Sequence, residues 1–146
     1  MHSTRSVTPA WNPYPKMDLP ELDCEHCDVA AALTELLAAV MEDDRENAVA
    51  LGRKLADKAE AHFAHEERLM TEVAYVNAER HRQIHADFLA ETGRQLADAE
   101  SRGLSVEVLR WVSELDQWFY RHVMTEDMWL AFAVKRVREP HAAAGR

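Results

Sequence analysis

The chain has 146 residues, 47% hydrophobic and 29% charged, which is enough for one domain with a sizeable core and ordinary for a globular protein in water. A formal net charge of −9, with no basic run, excludes an electrostatic grip on nucleic acid or on an anionic membrane. Two cysteines are too few for a disulfide scaffold, residues 1–20 lack an apolar leader core, and no stretch reaches the roughly 18 uninterrupted apolar residues of a membrane span, so a cytoplasmic monomer is expected.

Four of the five prolines, Pro9, Pro13, Pro15 and Pro20, fall in residues 1–20, which read as an extended arm pinned by Trp11 and Tyr14. The last, Pro140, opens a flexible tail over residues 140–146. Between them no proline occurs. A proline costs a helix interior about 3 kcal/mol, so this Ala-, Leu-, Glu- and Arg-rich stretch reads as helix throughout. Alternating β-branched runs and Asn-Gly or Asp-Gly turns are absent.

Periodicity divides residues 21–139 into four helices. The first is expected from about Leu22 to Met41, capped by Asp23, with Leu22, His26, Val29, Leu33, Leu36 and Val40 on one stripe. After the polar break Glu42-Asp43-Asp44-Arg45, the second runs from about Glu46 to Val73, with Leu51, Leu55, His62, Glu66, Leu69 and Val73 inward. Ala74-Tyr75-Val76-Asn77 connects it to the third, from about Ala78 to Ser101, which carries His81, His85, Phe88, Thr92 and Leu96 in line. Gly103 marks the last break, and the fourth helix runs from about Ser105 to Val137 with Val108, Trp111, Leu115, Trp118 and His122 on its stripe. Such helices with short loops predict an all-α, antiparallel up-down-up-down four-helix bundle with an extended N-terminal arm.

Histidine and carboxylate interrupt each inward stripe. His26 stands near the start of the first helix, and His62 and Glu66, spaced i,i+4, near the end of the second. His81 and His85, also i,i+4, open the third, and His122 lies past the middle of the fourth with Glu126 and Asp127 behind it. Singly, each has an ordinary explanation: a lone histidine is more often a satisfied core residue, and a charged pair is more often a solvated face. An antiparallel bundle, however, brings these four regions to one level of its core. Two buried carboxylates need a cation or a proton there, and with converging imidazoles they suit a divalent transition-metal pair, since carboxylates bridge and imidazoles terminate.

Two choices stay open on spacing. Glu126 is i+4 from His122 and better aligned on a regular helix, whereas Asp127 at i+5 turns inward only if the helix widens to a π-turn, a feature common at functional sites. His65 lies about 60° from His62, and the line through Leu55 and Glu66 favours His62, leaving His65 outside the site. His2 and His141 fall in the end segments and are read as bystanders.

His62-Phe63-Ala64-His65-Glu66-Glu67-Arg68-Leu69-Met70 resembles the H-F-x-x-E-E-x-x-M segment of bacterial hemerythrins. Tyr75, His81-x-x-x-His85 and Phe88 continue that pattern; Asp23-x-Glu25-His26 is similar to its opening D-x-Q-H, and Trp118 with His122-x-x-x-x-Asp127 to its close. The resemblance implies two irons with an oxo or hydroxo bridge: His81, His85 and His122 on one, His26 and His62 on the other, Glu66 and Asp127 bridging. It implies reversible O2 binding at the less coordinated iron, for carriage, storage or sensing, without net catalysis. Alternatives are a di-iron enzyme acting on peroxide or nitric oxide, and an O2- or redox-responsive module acting in trans. No Glu-x-x-His occurs in the chain, which counts against a ferritin-like oxidase. Trp118, Phe119 and Val123, flanking His122, are candidates for a dry O2 pocket. The sequence departs from the pattern at Glu25, in place of Gln, at Tyr75-Val76, in place of Tyr-Pro, and at Cys24 and Cys27, which flank His26 as a candidate redox pair.

Overall fold

The computed structural model describes residues 14–139. They form α1 (Pro20–Met41), α2 (Arg45–Glu72), α3 (Ala78–Arg102) and α4 (Val106–His122), then a π-helical turn (Val123–Asp127) that runs directly into α5 (Met128–Arg138). The fourth rod is thus α4, the π-turn and α5 in series. Helix α1 packs on α2 and α4, α3 packs on α2 and α4, and α5 returns to α2, as in an up-down-up-down four-helix bundle. No strand occurs among the described residues, and none of their helices is long and apolar enough to cross a membrane.

The helix ends follow local chemistry. Helix α1 begins two residues before the sequence predicts, because Pro20 at the first helical position has the φ a helix needs and no N–H to leave unpaired. Asp23 is therefore not its cap. It lies within the first turn, where its Oδ1 accepts the backbone N–H of Met17 at 2.9 Å. The side chains of Asp44 and Ser105 cap α2 and α4, each accepting a backbone N–H three residues on. Gly103 ends α3 at φ 90°, a left-handed backbone that glycine adopts without strain.

Tyr14, Met17 and Leu19 of the arm are buried, and Lys135 Nζ donates to Met17 O at 2.8 Å, fastening the arm to α5. Trp11 and the expected tail over residues 140–146 lie outside the described residues.

The predicted stripes form the core, with small departures. Leu22, His26, Val29, Leu33 and Leu36 are buried on α1, and Leu55, His62, Glu66 and Leu69 on α2, while Val40, Leu51 and Val73 are half-buried at the edges. On α2, Gly52 takes the inward position beside Leu51: a Cβ there would collide with Leu96 Cδ2, so its absence lets α2 and α3 close together. On α4 the inward line is Val108, Val112, Leu115, Phe119 and His122. Trp111 and Trp118, placed inward by the sequence reading, are half-buried.

Candidate metal centre

Seven ionisable side chains meet at one end of the bundle, all at 5% exposure or less: His26, His62, Glu66, His81, His85, His122 and Asp127. The start of α1, end of α2, start of α3 and end of α4 share that end, as chain order requires. Ligand atoms of Glu66, His81, His85, His122 and Asp127 form one group, all within 4.8 Å of one another; His26, His62, Glu66 and Asp127 form a second. Both carboxylates belong to both groups.

Their oxygens divide between the two. Glu66 Oε2 lies 3.1 Å from His62 Nε2, while its Oε1 lies 3.0 Å from His85 Nε2 and 3.3 Å from His81 Nε2. Asp127 Oδ2 faces His26 Nε2 at 3.1 Å and His62 Nε2 at 3.6 Å; its Oδ1 faces His122 and His81 Nε2 at 3.0 and 3.2 Å. Donors on one metal with bonds of about 2.1 Å at right angles lie about 3 Å apart. The cluster has that spacing on both sides.

A metal also answers the hydrogen-bond account. Nε2 of His62, His81, His85 and His122, both oxygens of Glu66 and Oδ1 of Asp127 are buried without a hydrogen-bond partner, although they face one another. Each such atom costs about 1–3 kcal/mol. Cations placed among them would satisfy all at once, so the residues fit metal ions.

The electrostatics agree in sign. Burial and the proximity of Asp127 push the Glu66 carboxyl upward, but the imidazoles of His62 and His81 outweigh them and hold it at about 2. Asp127, likewise opposed by burial, is held well below the usual carboxylate range by His122, His26 and His62. Burial lowers His62 and His81, yet the carboxylates win: His62 is raised well above its ordinary value, and His81 to about 9. Without a metal the cluster takes up protons in its place.

The π-turn decides between the neighbouring carboxylates. Its wider coil brings Asp127, i+5 from His122, to zero exposure in the core. Glu126 turns away and binds Arg80 Nη1 of α3 at 2.8 Å.

A further shell orients the rings. His62 Nδ1–H donates to Glu25 Oε1 at 2.6 Å, and His85 Nδ1–H to Glu67 Oε2 at 2.9 Å, which aims each Nε2 at the centre. Glu25, marked in the sequence only as a departure from a pattern, thus supports His62, and its Oε2 accepts His65 Nδ1–H at 2.7 Å. His65 is part-buried outside the cluster, as periodicity predicts. The role of Glu67 was missed: the signal available was a carboxylate adjoining Glu66, one helical turn from His62's line.

Aromatic rings close the surroundings. Phe63 stacks on His85 with centroids 3.8 Å apart, Trp118 stacks on His122 at 4.9 Å, and Tyr14 meets His26 edge-on at 6.0 Å. Phe119 packs against Phe88 and Trp118, and Val123 is buried beside His122. Trp118 therefore adjoins the three-histidine group, whereas Tyr14 covers a ring of the two-histidine group. Cys24 and Cys27 are free thiols, exposed and partly covered. Burial and Cys24 push the Cys27 thiol up, away from a reactive thiolate. Neither belongs to the donor groups. His2 and His141 lie outside the described residues.

Five buried imidazoles and two shared carboxylates at one end of a four-helix bundle define a cation-binding helical protein. The chain belongs to the hemerythrin family: the profile of the hemerythrin HHE cation-binding domain matches residues 17–133. A comparison with curated proteins finds no match.

Proposed function

We propose that this chain holds two irons and binds O2 reversibly, without net turnover. The ligands would be His81, His85 and His122 on one iron and His26 and His62 on the other, with Glu66 and Asp127 spanning both. The observation that carries this reading is an asymmetry: one donor group offers five protein ligands and the other four, sharing the same two carboxylates. A six-coordinate pair with one solvent bridge would be filled on the first side and open on the second.

The irons would supply the electrons that O2 accepts and returns. The protein's part is to hold and to exclude. Glu25 and Glu67 keep the protons of His62 and His85 on Nδ1, leaving Nε2 lone pairs for the metals. Phe63, Tyr14 and Trp118 cover the imidazoles with apolar surface, and Phe119 and Val123 thicken that cover behind His122. Dryness matters because water and acid would discharge reduced oxygen irreversibly.

Iron analysis of the loaded protein should give two irons per chain. Anaerobic reduction followed by cycles of O2 admission and removal should make a visible charge-transfer band appear and vanish repeatedly. Irreversible bleaching with consumption of peroxide or nitric oxide would assign an enzyme instead. Zinc in place of iron would end the proposal.

A further inference from the structure

Helices α3 and α4 do not close on each other along their whole length. Between them lies a cleft of about 360 Å³, within the size range of small-molecule sites. Phe88, stacked on Trp118 with centroids 4.5 Å apart, and the Trp111 indole line it. The rim carries Asp87, Glu91 and Glu114, and among the described residues no basic one lines the cleft.

Of the three rim carboxylates, only Glu91 is paired with a cation among the described residues. Glu91 is engaged by Arg94 and Gln95 on its own helix, and Asp87 only by the neutral amide of Gln83 at 2.9 Å. Among the described residues, no hydrogen bond or ion pair engages the Glu114 carboxylate. Two carboxylates without a cation thus share the cleft with the Trp111 indole, while Trp118 is stacked on both Phe88 and His122. Indole faces attract cations through the ring quadrupole, and the apolar floor favours a hydrocarbon body. Anions meet repulsion, and a neutral apolar molecule uses only half of what the cleft offers.

We propose that this cleft is a binding site for a small organic cation, an ammonium group on an apolar body, seated on Trp111 with its charge towards Asp87 and Glu114. Its occupant is not a ligand of the metal centre. Trp118 stands between, its indole stacked within 10° of parallel on His122. The site therefore does not reach the metal donors, and it stands whether or not the metals are iron.

Calorimetric titration of the metal-loaded full chain tests this with three probes of similar size: phenethylammonium, 2-phenylethanol and phenylacetate. The ammonium should bind about tenfold more tightly than the alcohol, with phenylacetate weakest, and added salt should narrow the gap. Glu114→Gln should weaken phenethylammonium about threefold or more and leave the alcohol unchanged. Trp111→Leu should weaken both, and metal content and melting temperature report whether it folds. If Trp111→Leu does not fold, Glu114→Gln alone decides. Equal affinity for the ammonium and the alcohol, no binding up to about 10 mM, or indifference to Glu114→Gln would overturn the proposal.

Discussion

Stripping the metals should reverse the pH dependence of stability. In the metal-free protein the buried His62 and His81 are protonated and paired with Glu66 and Asp127. A folded-state pKa above the unfolded value contributes stability that is complete below about pH 6.5 and is lost as pH rises through the folded pKa. For His81, raised to about 9, the loss between those limits is worth about 3 kcal/mol. His62 moves in the same direction. Glu66, held at about 2, and Asp127, held well below the usual carboxylate range, are ionised throughout this window. For a domain of this size 1 kcal/mol shifts the melting temperature by about 3 °C, so the apoprotein should melt about 10 °C lower at pH 9 than at pH 6.5. The loaded protein should show no such fall, because metals hold the imidazoles neutral and bind more tightly as protons leave. Thermal melts followed by circular dichroism, with and without chelator across this range, measure both slopes. An apoprotein melting temperature that is flat or rises from pH 6.5 to 9 refutes the assignment of buried imidazolium–carboxylate pairs.

Further substitutions separate neighbours. His85→Ala should lower metal content by about half or more, since it removes a donor and strands Glu67, whereas His65→Ala, outside both donor groups, should leave metal content intact. Asp127→Ala should likewise empty the centre, while Glu126→Ala should cost about 0.5 kcal/mol in a denaturant melt, the worth of its ion pair with Arg80. Glu25→Ala should weaken metal binding by about 10–100-fold in a chelator competition, by releasing the Nδ1–H of His62. The Cys24→Ser, Cys27→Ser double variant should keep full metal content, and a loss would show that the thiols take part in the centre.

The sequence by itself carried the helical rods, their order and the level at which polar groups interrupt them. Those features are periodic and local: a 3.6-residue repeat and i,i+4 spacings are properties of a single helix, and short loops force neighbours to run antiparallel. His26, His62, Glu66, His81, His85 and His122 were legible for that reason. Spacing alone left Glu126 and Asp127 undecided. The π-turn and the interhelical ion pair of Glu126 with Arg80 on α3 settle which one is buried. The same holds for Glu25, which reaches from α1 to rings on α2, and for the cleft left by Trp111 and Trp118. Asp23 shows the limit at short range as well: Pro20, three positions earlier, opens the helix and leaves the cap position to Leu19. Local pattern determined which residues face inward. Only packing between helices decided which oxygen faces which histidine, which carboxylate orients each ring, and where the bundle stays open.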